Sequence, residues 1–471
     1  MSKERMDITK VLAILAQPKE VLPPLEHVER MKLEISYINK EGKINVRLVR
    51  VIMPEEQPKP MPLIYVPHYE MGEDSLELRD YLTKGWAVAC PSEFDNCYNG
   101  QLTDDDLVFN NAALYTLRHR PEFDKERIIL VGGSAGGYMT MMLNGLQLGI
   151  CASIANGPIT NTYFNFYHYF NKANGLNLKA IANMAPDSKD GEKNKDDKEN
   201  ALETMKRVMY VPIPFLAGLY GMFAPIADNF PDKNDVERWE ALSAVGIADC
   251  FCSPIMVNHC TSDILVPVDQ ISKRFTYEKV GDSLPGDFDT RLPETFPGKL
   301  KYSLEECLPK DDTRTERILV PDKSDEDSVL PYDSEKRFNL NIFDDGPAEG
   351  YGTHSSRMDV GRRLDVPYLE EMFAKTSAET NLLTPAMLKS FLLRYQGKSI
   401  ALPAHTDVDD SVYGSLNIYR EEICEELADW KANNGETALY DIFDQVLCEE
   451  KDIEHRQMMK MTFEEIRRNI R

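Results

Sequence analysis

The sequence predicts a doubly wound α/β fold, in which helices cover both faces of a mostly parallel sheet. Short apolar runs rich in β-branched residues alternate with helical patterns through the first third of the chain, as such a sheet requires. A glycine-rich turn, residues 132–137, connects one of these runs to a helical pattern. Two long stretches interrupt the alternation, and the chain after about residue 380 has helical patterns throughout.

The interruptions divide the predicted core into three parts and add three further segments. In chain order, the predicted segments are core 1–160, an inserted lid or cap 161–249, core 250–280, a surface insertion 281–335, core 336–378, and a helical C-terminal extension 379–471. The surface insertion is rich in Asp, Glu, Pro and Lys, and we expect at most one hairpin in it. The extension could dock on the core, form a dimer contact or close part of a pocket, so a homo-oligomer is one expectation.

Eight short runs in the core predict strands. They lie at about 32–39, 44–52, 63–66, 86–90, 127–131, 152–155, 254–258 and 338–343. The run 44–52 alternates apolar and polar residues, which indicates a half-exposed strand, whereas the short apolar runs 63–66 and 127–131 indicate buried strands.

Helical patterns separate these runs and fill the extension. In the core they cover 76–83, about 105–119 and the residues after the glycine-rich turn. In the extension, Pro385 follows Thr384 and favours a helix start there, since proline suits the first helical position. A second helix is predicted at about 417–431. Two more follow, and the capping-box pattern from Thr462 to Glu465 is expected to open the last one.

The composition is that of a soluble globular protein with a strong acidic excess. Apolar residues make up 42% and charged residues 28%, and the formal net charge is −24. That charge argues against nucleic acid as a partner and against docking on anionic membranes. Residues 208–227 are uncharged and long enough for a membrane span, but three prolines break the run, which favours an apolar lid instead.

The cysteine pattern and the N-terminus favour a cytoplasmic protein. Nine cysteines are scattered along the chain without a C-x-x-C pair, so reduced thiols are expected and no metal site is predicted. The first residues do not resemble a secretory signal. Nothing in the sequence calls for an organic cofactor.

The strongest chemical signal is the turn Gly132-Gly133-Ser134-Ala135-Gly136. A G-x-S-x-G turn between a buried strand and a helix is a nucleophile elbow, which exposes the serine oxygen above the sheet. The N–H of Ala135 then lies at a helix N-terminus, where it can stabilise developing negative charge. Ser134 is the candidate nucleophile and Ala135 a candidate oxyanion donor.

A serine needs a base, and the base needs an acid to orient it. Useful groups lie just past the carboxyl ends of strands, so both partners are expected there, after Ser134. His354 follows the last predicted strand in a glycine-rich loop and is the candidate base. Asp263 follows the strand 254–258 and is the candidate acid, with Asp269 and Asp249 in reserve.

The order Ser134, Asp263, His354 resembles the α/β-hydrolase superfamily. Within it, the segments 127–137 and 258–270 resemble the elbow and the acid strand of prolyl-oligopeptidase-type serine peptidases and related carboxylesterases. The acid-strand pattern is usually H-G-x-x-D-x-x-V-P-x-x-Q, and Cys260 stands here in place of its glycine. The acid-to-base spacing is long (354 − 263 = 91), and too few residues precede the first strands for the N-terminal propeller of the large peptidases.

The second oxyanion donor is expected in the loop after the strand 63–66. Tyr69 could serve through its backbone N–H or, as the resemblance implies, through its phenol, and His68 is expected to brace this loop. Aromatic residues of the predicted lid suggest a hydrophobic substrate group. They are Tyr163, Phe164, Phe166, Tyr167, Phe170 and Phe215.

Three functions are compatible with these residues. A carboxylesterase acting through an acyl-enzyme is the first expectation, because a lid without a propeller imposes no gate for oligopeptides. A serine peptidase cleaving short peptides would use the same catalytic residues. A non-catalytic hydrolase-fold protein would use the helical extension as its interaction surface.

Overall fold

A computed structural model describes most of the predicted core and extension. The described residues are 22–38, 43–92, 102, 104–165, 234–261, 263, 266, 268–273, 300–319, 332–343, 358–396 and 413–470. Most of the predicted lid therefore lies outside the described residues, as do the uncharged run 208–227 and the loop that carries His354.

Nine strands within the described residues form one sheet. They are β1 Val28–Ile38, β2 Ile44–Pro54, β3 Met61–Tyr65, β4 Ala87–Pro91, β5 Phe123–Gly133, β6 Ala152–Asn156, β7 Ile255–Cys260, β8 Arg314–Leu319 and β9 Phe338–Phe343. Every predicted core strand is present within a few residues of its expected place. Strand β1 pairs antiparallel with β2, and β2 pairs antiparallel with β4.

The strand order identifies an α/β-hydrolase fold. The order is β1-β2-β4-β3-β5-β6-β7-β9-β8, and every pair from β4 to β8 is parallel. Without the edge strand β8, this is the arrangement of that fold, with the elbow strand β5 at the centre of the sheet. The predicted fold class is confirmed.

Helices cover both faces of this sheet, as a doubly wound fold requires. Those of the core are α1 Leu76–Thr83, α2 Asp104–Arg118, α3 Ala135–Leu146, α4 Val236–Ala241, α5 Leu304–Cys307 and α6 Met358–Phe373. Buried side chains of α2 and α3, such as Phe109 and Met142, pack with Leu130 on one face. Buried side chains of α1 and α6 pack with the opposite face. Both faces of the sheet are apolar because helices cover both of them, so neither face of a parallel strand is exposed to water.

Strand β8 is a finding that the sequence did not predict. Residues 314–319 pair parallel with β9 at the edge of the sheet, within the stretch expected to be a surface insertion with at most one hairpin. Leu300 and Leu304, from the same stretch, are buried in the core. The polar composition of residues 314–319 did not indicate a strand, because a strand at the edge of a sheet needs few apolar residues.

The C-terminal extension docks on the core. Its helices are α7 Ser377–Thr380, α8 Pro385–Tyr395, α9 Tyr413–Asn434, α10 Glu436–Glu449 and α11 Ile453–Asn469. A third apolar cluster joins helices α8 to α11 to Leu148 and Cys252 of the core. A buried ion pair crosses the same junction, since Arg118 Nη1 lies 2.7 Å from Glu426 Oε1.

One helix start was predicted wrongly. The last helix begins at Ile453, where the Asp452 side chain accepts a hydrogen bond from the N–H of His455. Thr462 lies in the interior of α11, and its hydroxyl donates to the carbonyl of Met458 one turn earlier. The capping-box pattern at Thr462 therefore lies inside a helix whose N-cap residue is Asp452.

Within the part of the chain that is described, no helix combines the length and the apolar character needed to cross a membrane.

Candidate active site

Ser134 occupies a strained turn at the centre of the sheet. It lies between the last residue of β5 and the first residue of α3, with φ 54° and ψ −118°. Its N–H donates to the carbonyl of Asn156 on the neighbouring strand at 2.8 Å, and its carbonyl accepts from Tyr138 at 3.0 Å. Such a backbone costs about 1–3 kcal/mol and persists only where the surrounding structure enforces it, typically at functional sites.

Two glycines allow this turn because other backbone groups approach them closely. A Cβ on Gly132 would lie 2.3 Å from the carbonyl oxygen of Gly136. A Cβ on Gly136 would lie 2.9 Å from the carbonyl oxygen of Pro67 in the loop after β3. The elbow is therefore in direct contact with the loop that was expected to supply an oxyanion donor.

The two candidate oxyanion donors lie on either side of this contact. Ala135 is the first residue of α3, so its N–H belongs to those that have no acceptor within the helix. The ring of Tyr69 lies beside the elbow, with Cδ2 3.5 Å from the position of a Cβ on Gly136. The backbone N–H of Tyr69 donates to the carbonyl of Pro67 at 3.1 Å, across a tight turn at His68.

His68 anchors this loop against helix α2, as expected. Its side chain is buried, and its Nδ1 lies 4.0 Å from Oδ2 of Asp106 in α2. Burial, and secondly the charge of Arg47, lower the pKa of His68 to about 3, so the imidazole is neutral. Asp106 pairs with Arg47 at 2.7 Å, while burial raises the pKa of Asp106 to about 6. A neutral imidazole at neutral pH suits a packing role.

Asp263 lies just beyond the carboxyl end of β7, as predicted. Its side chain is buried, and Oδ1 accepts a hydrogen bond from the N–H of Val266 at 3.0 Å. This bond holds the carboxylate in a turn. Strand β6 separates β7 from β5, so the ends of β5 and β7 are roughly 10 Å apart.

The two reserve acids are placed less suitably. Asp269 is fully buried and accepts a hydrogen bond from the hydroxyl of Tyr302. Asp249 is exposed and precedes β7 by several residues, so it lies toward the opposite edge of the sheet from Ser134. Of the three acids, Asp263 has the position that the predicted chemistry needs.

His354 lies outside the described residues. Strand β9, which precedes it, pairs with β7 up to Phe343, and helix α6 begins at Met358. The chain therefore leaves β9 at the same edge of the sheet as Ser134 and Asp263. The convergence of the three side chains stays a prediction.

Two of the predicted lid aromatics pack into the interior. Tyr163 contacts Trp239 edge to face, with ring centroids 5.2 Å apart, and Phe164 contacts Tyr302 in the same way at 5.1 Å. Both are almost fully buried, at 4% and 1% exposure, so both side chains pack within the described structure. Phe166, Tyr167, Phe170 and Phe215 lie outside the described residues.

A buried glutamine fixes the start of the predicted lid. The side-chain oxygen of Gln270 accepts the N–H groups of Thr160 and Asn161, both at 3.2 Å. Its amide nitrogen donates to Asn165 at 2.8 Å. Gln270 is the final residue of the acid-strand pattern, and the sequence assigned it no role.

The sequence also missed a row of buried and partly buried polar side chains beside the elbow. Asn156, Asn258 and Asn341 lie on neighbouring strands, and Asp365 of α6 contacts the first two. The signal was present, since each asparagine lies near the carboxyl end of its strand. Among the described residues, no group of three or more metal-ligating side chains is placed to hold an ion.

No protein-family model and no curated protein matches this chain. Similar solved structures include an acylaminoacyl peptidase from Pyrococcus horikoshii, with 16% identity and a TM-score of 0.38, covering 74% of this chain and 41% of that one. They also include a puromycin hydrolase, with 13% identity and a TM-score of 0.37, covering 75% and 41%. Esterase B from Lactobacillus rhamnosis has 13% identity and a TM-score of 0.35, covering 78% and 96%.

The chain thus spans about two fifths of the length of those two larger structures and nearly all of the esterase.

Proposed function

We propose, from the α/β-hydrolase fold and the strained elbow, that this protein is a serine hydrolase that cleaves a carboxylic ester. The observation that carries the proposal is the backbone of Ser134, at φ 54° between a central parallel strand and a helix. A non-glycine residue at such a φ is uncommon, and a nucleophile elbow requires this conformation of its serine.

In the proposed mechanism, Ser134 forms an acyl-enzyme. Its Oγ attacks the ester carbonyl carbon while His354 takes the hydroxyl proton. The C–O bond to the alcohol then breaks, and His354 returns the proton to the leaving alcohol. Water repeats the sequence on the acyl-enzyme and releases the acid. Asp263 orients His354 and stabilises its protonated form.

The oxyanion is stabilised by the N–H of Ala135 and, we infer, by the phenol of Tyr69. The backbone N–H of Tyr69 already donates to Pro67, which favours the phenolic O–H as the second donor. The ring is also close to the elbow, beside Gly136. Preorganised donors of this kind act where negative charge develops, and each contributes about 10²–10³-fold to kcat.

The substrate class is proposed from the sequence of the lid. With Tyr163 and Phe164 packed in the interior, a hydrophobic substrate group would contact Phe166, Tyr167, Phe170 or Phe215. A serine peptidase is the second candidate, because residues 258–270 resemble the acid strand of prolyl-oligopeptidase-type enzymes. The two functions share every catalytic residue.

Kinetics on a series of p-nitrophenyl esters test the proposal. Ser134→Ala, His354→Ala and Asp263→Asn should each lower kcat by about 10⁴-fold or more. Ser36→Ala is a matched control, since Ser36 is an exposed serine on β1. Equal loss in Ser36→Ala and Ser134→Ala, or none in either, would contradict the proposal. Aminoacyl-amide substrates in the same assay separate a peptidase from an esterase, and a wild type inactive on both classes would favour the non-catalytic alternative.

A further inference from the structure

Three asparagines, two of them buried and Asn156 partly exposed, form a hydrogen-bonded row across neighbouring strands. Asn156 of β6, Asn258 of β7 and Asn341 of β9 are direct register partners. Asn341 Nδ2 donates to Asn258 Oδ1 at 2.9 Å, and Asn258 Nδ2 donates to Asn156 Oδ1 at 2.8 Å. Asn258 and Asn341 are 4% and 0% exposed. Buried amides of this kind are costly unless they are hydrogen-bonded, so the row has to stay paired.

The row ends on a buried carboxyl group. Asn156 Nδ2 donates to Oδ2 of Asp365 at 3.0 Å, and Asn258 Nδ2 lies 3.4 Å from Oδ1. The amides of the row all donate toward Asp365, so their dipoles are aligned to stabilise an ionised carboxylate. Asp365 is 2% exposed. Burial raises the pKa of Asp365 to about 7, although the hydrogen bond from Asn156 acts to lower it. Glu77 of α1 is the charged group that acts on Asp365 among the described residues.

The same asparagines hold the backbone of the elbow. The carbonyl of Asn156 accepts the N–H of Ser134 at 2.8 Å, and the carbonyl of Asn258 accepts the N–H of Gly157 at 2.7 Å. A change in the side-chain row would therefore act on the peptide groups to which Ser134 is attached.

We propose that Asp365 is a positioning residue for Ser134, acting through Asn156 when its carboxylate is ionised. The proposal rests on the function proposed above. Protonation on Oδ2 would set an O–H donor against the N–H donor of Asn156. The row would then have to reverse or break, and the peptide group that anchors Ser134 would move. Because a displacement of 1 Å in a catalytic group can cost about 10²-fold, even a partial shift would be visible in kcat.

The pH dependence of kcat tests this role. Below about pH 7, protonation of the catalytic base and of Asp365 together should make log kcat fall with a slope steeper than one in the wild type, because protonation of Asp365 adds up to about tenfold to the loss. Asp365→Asn should fall with a slope of one, and its kcat at about pH 8 should be reduced about tenfold with little change in KM. Glu77→Gln leaves the row intact and removes a negative charge near Asp365. The carboxyl group of Asp365 should therefore ionise at a lower pH in this variant.

A matched pair of variants separates positioning from stability. Asn341→Leu breaks the row at its far end, whereas Asn339→Leu removes another fully buried asparagine of β9 that bonds to Asp333 and Lys336 instead. Both should lower the midpoint of urea unfolding, but only Asn341→Leu should lower kcat.

Three results would overturn the role. The first is identical pH profiles of kcat for wild type and Asp365→Asn. The second is a pH profile of Glu77→Gln whose acidic limb does not move to lower pH. The third is equal kcat in the two leucine variants. A wild type that hydrolyses no ester or amide would instead refute the hydrolase function, and the positioning role with it.

Discussion

Replacing Gly136 with alanine should displace the oxyanion loop from the elbow. The new Cβ would lie 2.9 Å from the carbonyl oxygen of Pro67, and ordinary contacts begin at 3.4 Å. The loop or the helix must therefore move by 3.4 − 2.9 = 0.5 Å. The neighbouring atom is backbone, and the same carbonyl accepts the N–H of Tyr69, so Tyr69 has to move with it.

The magnitude follows from this displacement. If a misplacement of 1 Å costs about 10²-fold in rate, half that distance costs about tenfold in kcat, or about 1.4 kcal/mol of transition-state stabilisation. KM should change little, because the oxyanion forms only in the transition state. Steady-state kinetics on a p-nitrophenyl ester measure both parameters.

Gly145→Ala is the matched control. Gly145 lies in the same helix, and a Cβ there would approach within 2.8 Å of a neighbour, but that neighbour is the terminal methyl group of Ile247. A flexible side chain can move away where a backbone carbonyl cannot. We expect wild-type kcat in Gly145→Ala, and equal kcat in the two variants would refute the reasoning.

Four further predictions concern residues around the same core. Arg118→Ala should lower the free energy of unfolding in urea by about 3–5 kcal/mol, because it leaves Glu426 buried without its partner. Lys125→Ala, which breaks an exposed pair, should cost less than about 1 kcal/mol. Tyr69→Phe should lower kcat on esters by about 10²–10³-fold with the fold intact, and unchanged kcat would exclude the phenol as a donor.

The last prediction of the group concerns pH: His68 stays neutral in the folded protein down to a pKa of about 3 but takes up a proton near pH 6.5 when unfolded. Stability should therefore fall with acid below about pH 6.5, and from about pH 7.5 to 5 the wild type should lose about 2 kcal/mol more than His68→Gln. Parallel stability curves for the two proteins would contradict this.

The sheet could be predicted because its signals are local. Runs of strand length, separated by helical patterns, predicted eight of the nine described strands, and the glycines around Ser134 predicted the elbow. Glycine was informative there because backbone atoms approach positions 132 and 136 too closely for any side chain.

Features that depend on tertiary contacts could not be predicted in the same way. Strand β8 is polar in sequence and becomes a strand because it pairs with the edge of β9. Tyr163 and Phe164 follow a strand in an aromatic run, and only the positions of Trp239 and Tyr302 show that they pack in the interior. The row that ends on Asp365 joins residues from distant parts of the chain, and no spacing rule connects them.

Covalent labelling of Ser134 tests the central claim most directly. The protein is treated with a fluorophosphonate probe, digested, and analysed by mass spectrometry, with Ser134→Ala and Ser36→Ala in parallel. An activated serine should give a single adduct on the peptide containing Ser134, in the wild type and in Ser36→Ala, and none in Ser134→Ala. A wild type that stays unlabelled, or an adduct that persists in Ser134→Ala, would contradict the account.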